Sequence, residues 1–244
     1  MSQHDLNEPE HEILDLGLVY YKNIIKDPSK VIALVEDLDS RYRKQFDVSD
    51  EKIKKQQFLK DKLQIVLQNN NTSVLPWMEW NGDHDLFCLQ KFIPKVKDIP
   101  KHDEYFEEQT YISSSLFNGL EEALSHYTNK LYGPYAAQNI RSREQTMHLL
   151  KYTKSGYLPP HQDQGDSTRL LSALLYLNDD YEGGEIEFPN SNVKLKPEAG
   201  SVIMFPSNFL YIHQVHPITK GTRYSLPNWY HNSAKQNINT SEYI

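Results

Sequence analysis

Two histidines and one aspartate have the residue types and the spacing of a metal site. His161 and Asp163 form an H-x-D triplet in a predicted strand. Residues i and i+2 of a strand project from the same face, so the imidazole and the carboxylate converge. His213 lies in a second predicted strand about 50 residues later, and two histidines with one carboxylate on adjacent strands make the facial triad of non-haem Fe(II) sites. Taken alone, the H-x-D triplet also fits a solvated strand edge, so the metal prediction depends on His213.

A guanidinium and a hydroxyl follow on a further predicted strand. Arg223 and Ser225 are again i and i+2, and together they could hold a carboxylate through a charge-assisted pair and a hydroxyl donor. Packing within the strand is the alternative role for Ser225. His216 is an alternative third metal ligand, but residues three apart on a strand face opposite ways, which favours His213.

The composition restricts the chemistry and the partners. Cys88 is the one cysteine among 244 residues, against ten histidines, so neither an internal disulfide nor a cysteine-built zinc or iron–sulfur site is possible. The net charge of -7 argues against nucleic acid as a partner. Met1 to Glu12 lacks the order of a signal peptide, and no apolar stretch approaches the roughly 20 residues of a membrane span. We therefore expect a cytoplasmic chain without a membrane partner.

The second part of the chain has the sequence pattern of an all-β domain. From about residue 143, short runs of β-branched, aromatic and leucine residues alternate with Gly, Pro and Asn. The predicted strands are Thr146–Tyr152, Leu158–Asp163, Arg169–Leu177, Gly184–Phe188, Asn192–Lys196, Ser201–Phe205, Tyr211–Val215 and Thr222–Trp229. Eight short strands in about a hundred residues favour a sandwich or jelly roll. The expected fold class is α+β, mainly β.

The first part of the chain is expected to form helices that pack against this β domain. Gly17–Tyr21 is typical of a short strand, and Asp27 followed by Pro28 predicts a helix start. Apolar residues at helical spacing predict further helices near Phe58–Leu67 and over Leu116–Leu131. Residues 75–110 mix tryptophans, prolines and acidic side chains without a period, which indicates a loop or lid that selects substrate. Because no linker is evident, we expect one domain over 1–244, with helical support in 1–140 and the core in 141–232.

From about residue 145 to residue 230 the chain resembles the Fe(II)- and 2-oxoglutarate-dependent dioxygenases, in particular their prolyl 4-hydroxylase branch. The ordered elements that carry the resemblance are Tyr152, His161-x-Asp163, Tyr176-Leu177-Asn178, Gly183-Gly184-Glu185, Phe188-Pro189, Pro197, Gly200, Phe205-Pro206, His213 with Pro217, Gly221-x-Arg223-Tyr224 and Trp229. The resemblance implies a double-stranded β-helix. It also implies that His161, Asp163 and His213 bind the iron.

The resemblance further implies how the cosubstrate is held. 2-Oxoglutarate would chelate the metal through its C1 carboxylate and keto oxygen, with its C5 carboxylate on Arg223, where some family members use lysine. Tyr176 matches the tyrosine that donates to the C5 carboxylate, and Tyr152 matches the one near the C1 end. Asp163 supplies the carboxylate that related halogenating enzymes lack, which favours hydroxylation.

Three of these side chains have a simpler alternative role. Tyr176 alternates with Leu174 and Ser172 on one strand face, as a core tyrosine with a satisfied hydroxyl would. Trp229 fits either packing at the barrel rim or a wall of the substrate site. Arg169, at a strand start near the site, is a tentative substrate contact, and its alternative is a solvated charge.

The leading functional hypothesis is hydroxylation of a prolyl residue in a peptide or protein, with release of succinate and CO2. The required cosubstrates are O2 and 2-oxoglutarate, and ascorbate is an expected reductant. The alternatives are a hydroxylase of a free amino acid or other small molecule, a non-catalytic binding or sensor domain, and a zinc hydrolase. The intact His-Asp-His set together with Arg223 argues against an idle domain, and a zinc hydrolase leaves Arg223-x-Ser225 without a role. The acidic balance argues against a nucleic-acid demethylase.

Overall fold

The computed structural model describes residues 8–46, 77–79, 88–99, 101–133, 140–142, 146–165 and 168–232. These residues form two α-helices, α1 (Pro28–Phe46) and α2 (Phe106–His126), and fifteen strands. The strands are β1 (His11–Asp15), β2 (Leu18–Tyr21), β3 (Met78–Glu79), β4 (Cys88–Pro94), β5 (Ile140–Ser142), β6 (Thr146–Tyr152), β7 (Leu158–His161), β8 (Arg169–Tyr176), β9 (Glu182–Gly183), β10 (Ile186–Phe188), β11 (Val193–Leu195), β12 (Val202–Pro206), β13 (His213–Val215), β14 (Ile218–Lys220) and β15 (Arg223–Asn232). Neither helix is both long and apolar enough to span a membrane.

Two facing sheets make up the double-stranded β-helix, as expected. The larger sheet has nine strands in the order β1-β2-β12-β8-β15-β6-β4-β3, with β5 added on β15. The smaller sheet has four strands in the order β11-β10-β13-β7. Between the sheets lies a core of aromatic and aliphatic side chains, which includes Phe188 from the small sheet and Phe205 from the large one. The two sheets therefore enclose a barrel interior into which inward-facing side chains of both project.

The first helix covers the outer face of the large sheet. Its start is as predicted, because the Asp27 carboxylate accepts a hydrogen bond from the Lys30 backbone N–H at 3.1 Å, which caps the first turn. Its apolar side is buried at Val31, Val35 and Leu38. These side chains share a core with both helices and the back of the sheet, so α1 fixes the strands whose other face lines the barrel.

The second helix begins ten residues earlier than the prediction of Leu116–Leu131. It runs over Phe106–His126 and continues into a π-helical turn at Tyr127–Leu131. Directly before the helix, the Asp103 carboxylate accepts from the Tyr105 N–H at 2.8 Å. Glu107 and Glu108 then lie in the first turn, where negative charge is favourable to the helix dipole.

The eight predicted strands of the core are all present, but only Thr146–Tyr152 has both of its predicted ends, and three of the others are two residues shorter at one end. The strand predicted over Leu158–Asp163 ends at His161, so Asp163 lies in the bend that follows it. The strand predicted from Tyr211 starts at His213, because Phe209–Tyr211 forms a 3-10 turn. The strand predicted from Gly184 starts at Ile186. All three differences fall where the chain enters or leaves the barrel.

The lid predicted over residues 75–110 is wrong for part of its length. Residues 88–94 form β4, which pairs with β6 from Cys88↔Tyr152 to Pro94↔Thr146, and β3 pairs with β4. This part of the predicted support region therefore extends the large sheet. The predicted helix near Phe58–Leu67 and residues 80–87 of the predicted lid lie outside the described residues.

A lysine occupies the centre of β4 on the buried side. Lys91 is 3% exposed, its Nζ donates to the Val35 carbonyl at 3.3 Å, and it lies 3.9 Å from the Asp39 carboxylate. The same carboxylate accepts from the Trp77 N–H at 2.7 Å. Burial lowers the pKa of Lys91 to about 8, although Asp39 opposes this shift. The folded protein therefore holds this proton less tightly than an unfolded chain does.

We expect the pH dependence of stability to report this buried amine. Because the pKa of Lys91 is lower in the folded state, its contribution is constant below pH 8 and becomes more favourable as the pH rises from about 8 to about 10.5. The free energy of unfolding should gain about 3 kcal/mol over this range relative to Lys91→Met. Urea unfolding at pH 7 and pH 10.5 measures the difference, with Lys220→Met as the control for loss of an exposed lysine charge. Parallel pH profiles for wild type and Lys91→Met would contradict it.

Candidate active site

His161, Asp163 and His213 meet at one end of the barrel interior. His161 closes β7 and His213 opens β13, and these two residues are direct partners across the antiparallel pair. The Asp163 Oδ1 lies 3.5 Å from the His161 Nε2 and 4.0 Å from the His213 Nε2. One ligand atom from each residue falls within 4.8 Å of the others. Among the described residues this is the one such group of three metal-ligating side chains.

Backbone carbonyls orient both imidazoles toward the aspartate. The His161 Nδ1 lies 2.9 Å from the Pro159 carbonyl, and the His213 Nδ1 lies 3.1 Å from the Tyr211 carbonyl. Since a carbonyl oxygen only accepts, each Nδ1 carries the proton and each Nε2 presents a lone pair to the cluster. Histidines that bind metals are held in this way.

The charge states of the cluster also suit a divalent cation. Burial would raise the pKa of Asp163, but the adjacent His161 and His213 lower it to about 2. Burial lowers the pKa of His213 to about 4, against the attraction of Asp163. At neutral pH the Asp163 carboxylate is therefore ionised and the His213 imidazole is neutral, and these are the forms that bind metal. The Asp163 Oδ2 is buried and has no hydrogen-bond partner among the described residues.

The loop after β7 is fixed by two hydrogen bonds to backbone carbonyls. The Arg169 Nη1 donates to the Asp163 carbonyl at 3.0 Å. The Gln164 N–H donates to the Ser207 carbonyl at 2.9 Å. Asp163 therefore reaches the cluster through a fixed bend, and not through the regular alternation of a strand on which the prediction relied.

Aromatic rings enclose the second histidine. The His213 ring centroid lies 4.9 Å from that of Phe205 and 5.4 Å from that of Phe188. His213 is 2% exposed. Its rotation is consequently restricted by packing as well as by its hydrogen bond.

A cavity of about 300 Å³ begins at the cluster and ends at a buried arginine. Its lining residues are Leu150, Tyr152, Leu158, His161, Gln162, Asp163, Gly165, Arg169, Leu174, His213, Val215, Arg223, Ser225, Pro227 and Trp229. Gln162 and Gly165 are exposed, so the cavity opens to solvent near the metal ligands. Arg223 is 2% exposed and lies at its inner part.

Two nitrogens of the Arg223 guanidinium lack an acceptor. Its Nε and Nη1 are buried and have no hydrogen-bond partner among the described residues. The rings of Tyr152 and Tyr176 lie 5.0 Å from the guanidinium carbon, but aromatic faces do not replace a carboxylate. A buried cation without a counter-charge is costly, so this site fits a ligand that brings a negative charge.

The other predicted cosubstrate contacts are close to Arg223, with two differences. Ser225 is buried, lines the cavity, and lies opposite Leu150 and Tyr176 on the neighbouring strands. Tyr176 is fully buried behind Arg223 and does not line the cavity. Tyr152 lines the cavity, but its ring packs at the Arg223 end, whereas the resemblance implies the C1 end.

Trp229 and Arg169 form one wall near the opening. The Arg169 guanidinium lies 4.1 Å from the centre of the Trp229 ring, and His148 packs edge-on against the same ring at 6.4 Å. Arg169 is half-buried between Asp163 and Trp229, and its contact with substrate stays a prediction. Both residues line the cavity.

His216 does not belong to the metal-ligand cluster, because it pairs with Glu187. Its Nε2 lies 2.6 Å from the Glu187 carboxylate, on the half-buried surface of the small sheet. The preference for His213 over His216 therefore agrees with where the two side chains lie.

Sequence reasoning overlooked Tyr181, which belongs to the same region. This tyrosine is 2% exposed, and its hydroxyl has no hydrogen-bond partner among the described residues. It packs with Leu150 and Tyr152 of the cavity wall. The available signal was its place two residues before Gly183-Gly184-Glu185, one of the elements that carry the family resemblance.

Comparison with known proteins gives a family match over the core. Residues 147–231 match the model of the 2OG-Fe(II) oxygenase superfamily. The chain is 42% identical over 67 residues to human Prolyl 3-hydroxylase 2, and the aligned segment covers 25% of this chain and 10% of that protein. It is 27% identical over 169 residues to a PKHD-type hydroxylase of Prochlorococcus marinus, covering 60% of this chain and 75% of that protein. The chain thus matches only about a tenth of the length of Prolyl 3-hydroxylase 2.

Solved structures share the fold. A prolyl hydroxylase from Trichoplax adhaerens, in complex with a peptide fragment of the hypoxia inducible factor oxygen degradation domain, has a TM-score of 0.57 at 17% identity and covers 89% of this chain and 84% of its own. A prolyl-4-hydroxylase from Pseudomonas putida has a TM-score of 0.50 at 19% identity and covers 88% of this chain and 92% of its own. These similarities concern the double-stranded β-helix. Residues 147–231, which carry the His-Asp-His cluster, are therefore similar to the 2OG-Fe(II) oxygenase superfamily, and the chain shares its fold with the solved prolyl hydroxylases.

Proposed function

We propose that this protein is an Fe(II)- and 2-oxoglutarate-dependent oxygenase that hydroxylates a prolyl residue in a peptide or protein. The observation that carries the proposal is one cavity with a His-Asp-His cluster near its opening and a buried, unpaired guanidinium at its inner part. His161, Asp163 and His213 would hold the iron. Arg223 and Ser225, with Tyr176 behind them, would hold the C5 carboxylate of 2-oxoglutarate.

Bound Fe(II) supplies the centre at which 2-oxoglutarate and O2 are converted to succinate and CO2 while a C–H bond is hydroxylated. The protein's own contribution is orientation and exclusion of water. The Nδ1 protons of both histidines are held on carbonyls, which keeps each Nε2 available as a ligand. The apolar wall of Leu150, Leu174 and Val215 keeps water away from the space between the cluster and Arg223. Ascorbate would serve as the reductant that restores the ferrous state.

The size of the cavity supports a substrate that inserts only one residue. A volume of about 300 Å³ is at the small end for ligand sites, so a dicarboxylate leaves room for little more than a small ring. The remainder of a polypeptide would lie outside, along the exposed Gln162 and Gly165. The Trichoplax adhaerens enzyme was solved with a peptide, which supports a peptide substrate here.

Trp229 has the properties of a surface for a prolyl ring. Its face is apolar, Arg169 and His148 fix its position, and its indole N–H is buried without a hydrogen-bond partner among the described residues. A pyrrolidine ring can pack on the indole. The tentative substrate role of Trp229, with Arg169 as its support, rests on these contacts.

The proposed function is tested by substrate-dependent turnover. Purified protein with Fe(II), 2-oxoglutarate, O2 and ascorbate should form succinate faster when a proline-rich peptide is added, and the peptide should gain one oxygen atom on proline, measured by mass spectrometry. Fragmentation and amino-acid analysis then assign the C3 or C4 position. Stimulation by free proline or other amino acids, with none by any peptide, would contradict the prolyl-peptide proposal in favour of a small-molecule hydroxylase.

A variant at the wall tests the substrate assignment in the same assay. Trp229→Ala should raise the KM for the peptide by about tenfold, as expected for loss of an aromatic anchor, and leave the affinity for 2-oxoglutarate unchanged. Tyr111→Ala is the matched control. Tyr111 lies on α2, where its aromatic ring packs under Lys30 of α1, away from the cavity. An unchanged peptide KM in Trp229→Ala would assign this residue to rim packing.

A further inference from the structure

The most exposed large apolar side chains of the described residues lie on two adjoining turns. Ile13, Leu16, Phe209 and Leu210 are each at least 55% exposed. The first two belong to the β1–β2 hairpin, and the other two to the 3-10 turn between β12 and β13. The Tyr211 hydroxyl donates to the Leu16 carbonyl, so the two turns are in contact. Single exposed apolar residues are common, whereas a group of them marks an interaction surface.

Hydrogen bonds fix the backbone of both turns. The Asn208 Oδ1 accepts from the Leu210 N–H at 3.0 Å, which caps the 3-10 turn, and the Asn190 Nδ2 donates to the Leu210 carbonyl at 3.1 Å. In the hairpin, the Gly17 carbonyl accepts from the Tyr127 hydroxyl at 2.7 Å. The apolar side chains are thus presented on an ordered backbone, so little backbone freedom is lost when a partner binds to them.

The 3-10 turn is joined to the loop that carries the metal ligand Asp163. The Gln164 N–H donates to the carbonyl of Ser207, which lies two residues before the turn, at 2.9 Å. The Ser207 N–H donates in turn to the Leu170 carbonyl at 3.1 Å. Leu170 is also exposed, and it directly follows Arg169 of the cavity wall. Exposed apolar side chains therefore lead from the cavity opening to the two turns. The rim patch is the set of Ile13, Leu16, Leu170, Phe209 and Leu210.

Acidic side chains surround the outer part of the rim patch. Glu12 and Asp15 are exposed and adjoin Ile13 and Leu16 in the hairpin, and residues 8–21 contain no lysine or arginine. A second copy of the chain docked through the same surface would bring these carboxylates together, and an anionic membrane would repel them. A polypeptide segment with apolar and basic side chains matches both the surface and its charge.

We propose that the rim patch binds the part of the polypeptide substrate that lies outside the cavity, on one side of the hydroxylated proline. The cavity of about 300 Å³ admits little more than one residue beside a dicarboxylate, so the neighbouring residues cross the rim. A large apolar side chain of that segment packs on Phe209 and Leu210, and a lysine or arginine beyond it lies near Asp15. This inference rests on the proposed function and adds a substrate class to it.

Synthetic peptides with a single proline test this preference on the wild-type protein. In an otherwise polar sequence, leucine replaces serine at one position at a time on either side of the proline. The KM for proline hydroxylation, measured by mass spectrometry, should fall by about tenfold for leucine at a defined distance on one side only, with kcat unchanged. A lysine beyond that leucine should lower the KM further, and this additional effect should weaken as salt is added.

The double variant Phe209→Ser/Leu210→Ser should raise the KM of the leucine peptide to that of its serine counterpart. The KM of the serine peptide and the affinity for 2-oxoglutarate should not change. Because both side chains are exposed, their replacement leaves the core intact. Val96→Ser is the matched control, since Val96 is also exposed but follows β4, toward the edge of the large sheet opposite β1. This variant should keep the full preference for leucine.

Hydroxylation that is equally efficient with leucine and serine at every position would overturn the inference and leave the proposed function intact. The same holds for a leucine preference that survives in the double variant. A wild-type dimer that the double variant converts to a monomer in sedimentation, or binding to neutral phospholipid vesicles that the double variant loses, would assign the rim patch to another occupant and also overturn the inference. Proline hydroxylation in none of the peptides would instead overturn the proposed function, together with the inference that rests on it.

Discussion

Asp163→Ala is expected to lower the affinity for Mn(II) or Fe(II) by more than about 100-fold and to abolish 2-oxoglutarate turnover. Asp163 supplies the single carboxylate of the cluster, and its Oδ1 faces both imidazole Nε2 atoms at 3.5 and 4.0 Å. Without it, two neutral imidazoles remain, and the charge of a divalent cation in a buried site is left uncompensated. Calorimetric titration of the apoprotein with Mn(II) measures the binding, and succinate formation measures the turnover.

His216→Ala is the control for this result. His216 is three residues from His213, but it is bound to Glu187 at 2.6 Å on the outside of the small sheet, so its removal should leave metal affinity and turnover near those of the wild type. The Asp163→Ala protein should keep its circular dichroism spectrum, because the backbone at this bend is held by the Gln164 N–H and the Arg169 side chain, neither of which involves the Asp163 carboxylate. Turnover that survived in Asp163→Ala would mean that the metal site has been assigned to the wrong residues.

The strands of the barrel were predictable because their pattern is local. In β8 and β12, apolar residues pack on both faces, toward the helices and toward the barrel interior, and turn residues mark each end. The metal ligands were predictable for a related reason, since two of them lie on paired strands. Asp163 shows where this reasoning stops, because its placement depends on contacts with Ser207 and Arg169, which strand periodicity does not encode.

The strand β4 was not predictable from the same pattern. Its central inward position is Lys91, which reads as a solvent-facing residue in the sequence but is buried against Val35 and Asp39 of α1. A lysine can occupy such a position only when the fold brings an acceptor to it. That acceptor comes from a helix about 50 residues earlier in the chain, so the strand is recognisable only once the tertiary contact is known.

Tyr181 illustrates a third kind of limit on sequence reasoning. Neither period nor composition separates a tyrosine that packs in a core from one whose hydroxyl has a role. The distinction requires the positions of its neighbours, such as the glycines that accommodate the ring. A family motif locates the guanidinium, whereas the structure locates the groups that surround it.

Removal of the buried guanidinium should change ligand binding and stability in opposite directions. Arg223→Met is expected to lower the affinity for 2-oxoglutarate by more than about 100-fold, because a bidentate, charge-assisted interaction in a water-excluded site is lost. The same substitution removes a cation that is 2% exposed and has no counter-charge among the described residues. The apoprotein should therefore melt at or above the temperature of the wild type, since uncompensated buried charge destabilises the folded state.

Thermal melting of the Mn(II)-loaded protein with and without 2-oxoglutarate separates these two effects. Wild type should be stabilised by the ligand, as any protein is that binds a ligand only when folded, and Arg223→Met should not. Arg223→Lys is the matched variant: it keeps the charge but replaces the planar fork with a single ammonium, so it should retain part of the ligand-induced shift. A full shift in Arg223→Met would place the carboxylate elsewhere in the cavity. No shift in the wild type, despite bound metal, would instead favour a hydrolytic metal site, for which Arg223 and Ser225 have no role.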